Sequence, residues 1–202
     1  MPSEVKANKL SPSSGTALQI SDSGDTTTIP SGATLAIASG ATIANSGTQT
    51  GFGMFSSYAI IADQKASGAG GTFTAGAWRT RDLNTEIADP DGIVSIATNQ
   101  FTLAAGSYLI EWIAPAWYVS LHQTRLYNVT DAAEVERGMG AYNSLATITD
   151  SSSGCARTTI AGSKVFTIEH YCSVTGTSAG FGQNTGFGIG EQYCTVKIFK
   201  EA

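Results

Sequence analysis

Two hydrophobic periods divide the chain. Between residues 23 and 50, short apolar segments recur between glycine turns. Ser23–Thr26, Ser31–Thr34 and Ser39–Thr42 each read Ser-Gly-x-Thr, eight residues apart, and Ser46–Thr48 begins a fourth copy one residue early. Gly24, Gly32 and Gly40 supply the bends, while Leu35, Ile37 and Ile43 form a face that each segment is too short to bury alone. Three turns stacked within one chain make a weak solenoid, whereas three chains wound together bury the face well. The pattern therefore predicts a short intertwined triple-stranded β shaft over residues 23–50, in an all-β protein.

From residue 58 onward the pattern changes to strict alternation. Strands are expected at 58–62, 72–81, 93–97, 99–104, 107–114, 124–129, 135–142, 156–161, 164–174 and 191–200, separated by Gly, Asn, Asp or Ser clusters. Tyr108, Ile110 and Trp112 share one face, as do Cys194, Val196 and Ile198. The face of Phe166, Ile168 and Cys172 also carries His170, which reads as a core or interface histidine. Residues 130–137 read as a turn running into a strand. About ten strands in this length predict a two-sheet antiparallel sandwich, here called the head, over 58–202. Residues 51–57 form a neck, and residues 1–22 precede the repeat.

Charge sharpens the reading of the repeat. From Thr26 to Ala62 there is no Asp, Glu, Lys or Arg, a run of 37 residues. Exposed on a single chain, such a run with open strand edges is an aggregation hazard; in an intertwined homotrimer the edges are paired. The bland alternative is a flexible Gly/Ser/Thr linker, which has no need of registered Leu and Ile.

Composition excludes several partners. The 202 residues carry 11 Lys and Arg against 16 Asp and Glu, a net charge of −5, so there is no basic patch to neutralise nucleic-acid phosphates. No apolar run approaches the length of a membrane span, so no membrane insertion is expected. The N-terminus, Met1 to Lys6, lacks the apolar region of a secretion signal, which predicts folding in the cytosol. Cys155, Cys172 and Cys194 have no C-x-x-C spacing and read as buried free thiols.

Several segments carry a resemblance. Residues 8–12, Gly24 to Thr26, Thr28 to Thr34 and Asn45 to Phe52 resemble the N-terminal shafts of short tail-fibre proteins of marine bacteriophages. Thr72 to Asn84, Asp89 to Val94, Gln123 to Asn128, Thr158 to Gly162 and Gly186 to Gly188 resemble their C-terminal domain. More distantly, Phe101, Gly106, Tyr108 and the aromatic strand that follows are similar to the trimeric jelly-roll heads of complement and tumour-necrosis-factor type. The match departs from those heads at Val196–Phe199. The resemblance implies a homotrimer of jelly-roll β-sandwich heads on a stalk, assembled in the host cytoplasm into the virion. Host recognition lies at the distal end, on a cell-surface glycan or protein. Residues 1–22 are then expected to dock on other virion proteins of the tail or capsid. A capsid-surface fibre or decoration protein of the same build is the alternative. A polysaccharide-degrading spike needs paired carboxylates in a groove, and the charge-poor chain offers few.

Little catalytic chemistry is legible. Neither His122 nor His170 has the sequence context of a nucleophile triad. Asp89, Pro90, Asp91 and Gly92 read as a turn rather than a calcium loop. No catalytic, cofactor or metal residue is expected, and the chain is not expected to be an enzyme. Candidate receptor contacts are Trp117, Tyr118 and His122, in a segment leaving a strand, and Phe181 and Phe187, in a glycine-rich loop over 176–190. Candidate trimer contacts are Leu35, Ile37, Ile43, Phe52, Phe55, Arg79, Arg81 and Arg125.

Overall fold

Glycine and alternation produce two separate units, Met1–Thr48 and Gln49–Ala202. The structure is a computed structural model that describes residues 20, 24, 26–42, 54–66, 68 and 70–202. Residues 1–19, Ile43 and Phe52 lie outside the described residues, and with them most of the expected docking segment and two expected trimer contacts.

In the first unit the repeat is a series of glycine turns. Ala33 N–H donates to the Pro30 carbonyl and Ala41 N–H to the Ala38 carbonyl, each at 3.0 Å. Gly32 and Gly40 both sit at φ +82°, the left-handed third position of a type II turn, which glycine adopts without a Cβ clash. Residues 26–42 contain no strand, and Leu35 and Ile37 stand 66% and 45% exposed. The eight-residue turn period is thus present, with its apolar row uncovered in the single chain.

The second unit is all β among its described residues. Its strands are β1 (Phe55–Lys65), β2 (Arg79–Thr80), β3 (Thr85–Ala88), β4 (Val94–Ala97), β5 (Gln100–Leu103), β6 (Gly106–Trp117), β7 (Ser120–Asn128), β8 (Ala133–Arg137), β9 (Ala141–Asn143), β10 (Thr149–Ile160), β11 (Lys164–Cys172) and β12 (Glu191–Glu201). One sheet runs β10-β6-β12-β1-β3; the other runs β4-β5-β11-β7-β8, with β2 on β11 and β9 on β7. All pairings are antiparallel, and successive long strands alternate between the sheets, which is the jelly-roll arrangement. Inward residues from both sheets, including Ile61, Phe101, Ile110, Leu126, Phe166 and Ile198, fill one core. A smaller cluster of Phe73, Ala116, Val119, Cys172 and Phe181 sits at one end.

Several expectations change. β3 was not expected, residues 135–142 divide into β8 and β9 on either side of Gly138–Gly140, and β10 begins at Thr149 rather than at 156. Residues 72–81 contain only the two-residue β2, because their backbone bonds go to the glycine-rich loop: Phe73 and Gly176 exchange N–H···O bonds at 2.9 and 3.0 Å. The expected strand end near Pro115 is instead strand through Trp117, followed by a two-residue corner into β7. Cys155 is exposed, whereas Cys172 and Cys194 are buried thiols. The Asp89 turn is as expected: its carboxylate accepts from Ile93 N–H at 2.8 Å and Val94 N–H at 2.9 Å, with Gly92 at φ +63°.

Strand direction defines two ends. Phe55 of β1 lies opposite Glu201, and Lys65 lies opposite Glu191. Tyr108 of β6 pairs with Lys200 and Ile113 with Thr195, so Trp117 lies at the Lys65 end. The point where the chain enters the head, at Met54, is therefore about 33 Å of strand away from the β6–β7 corner.

Candidate functional site: the apical loops

The end far from Met54, the apex, gathers the β6–β7 corner, the β9–β10 loop and the β11–β12 loop. Four stretches of sequence supply it: 66–78, 112–124, 138–149 and 170–190. None contains Asp, Glu, Lys or Arg. Exposed large apolar side chains collect there: Tyr118, Leu121, Tyr142, Leu145, Ile148, Val174, Phe187 and Ile189. Leu121 and Tyr142 are cross-strand partners of β7 and β9. Trp117 is half-buried, its indole N–H donating to the Ala146 carbonyl at 3.0 Å, so it ties the corner to the β9–β10 loop.

Tyr118 is held outward by its backbone. Val119 is buried beneath it, its N–H donating to Asn143 Oδ1 at 2.8 Å and its carbonyl accepting from Val174 N–H at 3.1 Å. Tying down Val119 forces Tyr118 to φ +53°, a left-handed conformation strained for a bulky residue. Its ring is 47% exposed, 5.8 Å from that of Trp117.

A buried polar chain braces these loops from below. Arg81 is fully buried and donates to three carbonyls from three segments: Pro115 at 3.1 Å, Phe181 at 3.0 Å and Tyr193 at 2.6 Å. Asp63 lies 3.9 Å from its guanidinium, and the Phe181 ring lies 4.4 Å beneath it. From Arg81 the chain continues to His170 Nδ1 at 3.5 Å, from His170 Nε2 to His122 Nδ1 at 3.0 Å, and from His122 Nε2 to Asn143 Nδ2 at 3.2 Å. Burial raises the Asp63 carboxyl above its usual range, opposed by the charges of Arg81 and Lys65.

Asn143 sets the tautomers. Its Oδ1 accepts from Val119 and its Nδ2 donates to the Ala116 carbonyl, so the second Nδ2 hydrogen faces His122 Nε2, which must accept. His122 Nδ1–H then donates to His170 Nε2, and the His170 proton falls on Nδ1, facing the donor Arg81. That mismatch accounts for the contact between Arg81 and His170, at 3.5 Å, being longer than those between the two histidines and between His122 and Asn143.

A further proton on either ring meets a donor or the guanidinium. Burial, with Arg81 adding to it against an opposing pull from Asp150, pushes His122 down to about 4. Burial, then Arg81, then His122 hold His170 well below the ordinary histidine value. An unfolded histidine protonates near pH 6.5, above the folded values. Stability from the neutral pair is therefore complete above about pH 6.5 and is lost as pH falls toward about 4, at roughly 1.4 kcal/mol per unit for each histidine. Melting temperatures of the wild type should drop across this window. His122→Gln should flatten the slope; an equal slope in both proteins would show that other groups set it.

The expected contact residues separate into two sets. Trp117, Tyr118 and Phe187 (76% exposed) lie at the apex surface. His122 and Phe181 do not reach it: His122 belongs to the buried chain, and Phe181 stacks on Phe73 at 4.4 Å. The first half of the glycine-rich loop is packed rather than flexible, since a Cβ on Gly180 would meet the Phe73 Cβ at 2.6 Å and one on Gly182 would meet the Tyr193 ring at 2.4 Å. Arg81, expected at a trimer contact, is core. Arg125 has its bonds within the chain: it pairs with Glu169 at 2.6 Å and Glu134 at 3.3 Å, and its guanidinium lies over the Trp78 and Tyr127 rings. Arg79 is exposed and donates to the Thr74 carbonyl. Phe55 packs on Phe199 at 5.2 Å. Leu121, Tyr142, Leu145, Ile148, Val174 and Ile189 were not expected at a site; the signal that points to them is the charge-free run in which each lies.

No protein-family model matches the chain, and no curated protein matches it. Among solved structures, the globular domain of a zebrafish complement 1qA protein is similar at 19% identity and a TM-score of 0.47, over 71% of this chain and 96% of that one. Murine APRIL is similar at 7% identity and a TM-score of 0.47, over 71% and 98%. The Eiger TNF of S. frugiperda is similar at 10% identity and a TM-score of 0.47, over 72% and 92%.

Proposed function

We propose that the chain is a fibre subunit of a bacteriophage virion. Three copies associate, residues 1–22 attach to other virion proteins, and the apex of the head contacts the host cell surface. The observation that carries this reading is polarity. The exposed aromatic, charge-free surface lies at the end of the head opposite Met54, where the chain enters, as a distal contact surface requires. Large rigid rings give contact area at low entropic cost.

Association has its own support. The outward face of the β10-β6-β12-β1 sheet aligns Tyr58, Phe199 and Leu109 in one row, and Ile60, Lys197, Glu111 and Cys155 in the next. Ile113 and Tyr58 stand about half exposed on this face. A neighbouring copy covers such a face, and the uncovered Leu35 and Ile37 of the repeat ask for the same partner. Threefold presentation multiplies a weak apical affinity.

The test is adsorption of the purified full chain to host cells beside its melting curve. Tyr118→Gly removes the ring and also the left-handed strain, so adsorption should fall at least tenfold while stability holds or rises by about 1 kcal/mol. Wild-type protein that does not adsorb overturns the reading; adsorption unchanged by the substitution moves the contact away from the corner.

A further inference from the structure

We infer that the apical ligand is an uncharged glycan, an inference that rests on the proposed host-contact role of the apex. The four stretches that build this end lack every charged residue; of the charges that flank them, exposed Arg79 donates to the Thr74 carbonyl and exposed Asp150, opposite Ala116, accepts from Ser151 N–H. Asp63 is buried against Lys65 and Arg81, and Glu191 accepts from Thr185 N–H and Oγ–H at 2.9 and 2.8 Å. The apical stretches present no guanidinium or ammonium to a uronate, sulfate or phosphate, the groups that would select an anionic polysaccharide. Nor do they hold a carboxylate to meet a cationic partner.

What the apex does present is exposed rings and hydroxyls, beside the aliphatic side chains of Leu121, Leu145, Ile148, Val174 and Ile189. Tyr118, Tyr142 and Phe187 are exposed, with Ser144, Thr147 and Thr177 exposed in the same loops. Pyranose rings offer C–H faces to aromatic rings and hydroxyls to hydroxyl and amide partners. A protein partner would call for a charged rim around the apolar centre, whereas within the four apical stretches the exposed polar side chains are hydroxyls and amides. Binding without ion pairs is also insensitive to salt, since screening acts only on charge.

The experiment uses the full chain on a printed array of neutral oligosaccharides (hexose, deoxyhexose and N-acetylhexosamine) and their uronate-, sulfate- and phosphate-bearing counterparts, read at 50 and 500 mM NaCl. The inference expects signal on neutral oligosaccharides, changing less than twofold between the two salt concentrations and falling at least tenfold in Tyr118→Gly and in Tyr142→Ala. Signal confined to anionic glycans, or a tenfold fall with salt, overturns it. So does adsorption to periodate-oxidised host cells equal to that on untreated cells, which identifies a protein receptor. In each of these cases adsorption that is still lost in Tyr118→Gly leaves the host-contact role standing. Absence of adsorption to any cell removes that role itself.

Discussion

Replacing Arg81 by methionine should destabilise the head by about 3–5 kcal/mol, the cost of breaking a buried charged network from one side. The substitution keeps most of the volume of the stem and removes the fork. The Pro115, Phe181 and Tyr193 carbonyls then lose a charged donor together, and the buried Asp63 carboxylate keeps only Lys65. Arg81→Lys retains the charge, but one ammonium cannot span three carbonyls from three segments, so it should recover only part of the loss. Urea unfolding of the three proteins at pH 7.5, where both histidines are neutral, measures the difference. A methionine variant within 1 kcal/mol of wild type would show that water or backbone adjustment satisfies these carbonyls without the guanidinium. The effect should also reach the surface, because the same guanidinium holds the end of β6, from which the Tyr118 corner springs.

Arg81 also shows where sequence reasoning stops. Period-two alternation located seven of the strands to within a few residues, because each buries one face against the other sheet and its hydrophobic residues mark that face directly; it caught only the end of β10, ran β8 and β9 together and missed β3. The glycine turns of the repeat were equally legible, since Gly32 and Gly40 stand where only a positive φ closes the turn. Residues 72–81 alternate in the same manner, yet they bond to a loop 100 residues away, and no local pattern reports a partner at that distance. Arg81 is charged and sits beside Trp78 and Arg79, which suggested a surface or subunit contact; its burial depends on carbonyls from β6, β12 and the loop between β11 and β12. His122 and Phe181 were displaced from the surface for the same reason. The sequence does carry a mark of the apex that went unread, an absence: four runs without charge, far apart in sequence, which the jelly-roll crossovers bring to one end.

The second large effect belongs to the repeat. Ile37 is 45% exposed in the single chain, so Ile37→Asp should do nothing to the folding of one isolated copy. In three wound copies the same substitution places three carboxylates around one axis without a cation, since no Lys or Arg lies between Thr26 and Ala62. Burying unpaired like charges costs several kcal/mol for each ion, which exceeds what a short shaft gains from its few aliphatic side chains. Light scattering of the full chain at micromolar concentration should therefore show wild type at three times the monomer mass and Ile37→Asp at lower mass or melting far lower. Protonation offers an internal control: lowering the pH neutralises the new carboxylates, so association by the variant should recover toward that of wild type in acid, the two being compared at each pH because the histidine pair weakens both heads alike below about pH 6.5. A variant that associates and melts as wild type at pH 7 would identify residues 26–42 as an exposed linker and leave the outer face of the first sheet as the sole candidate for self-association.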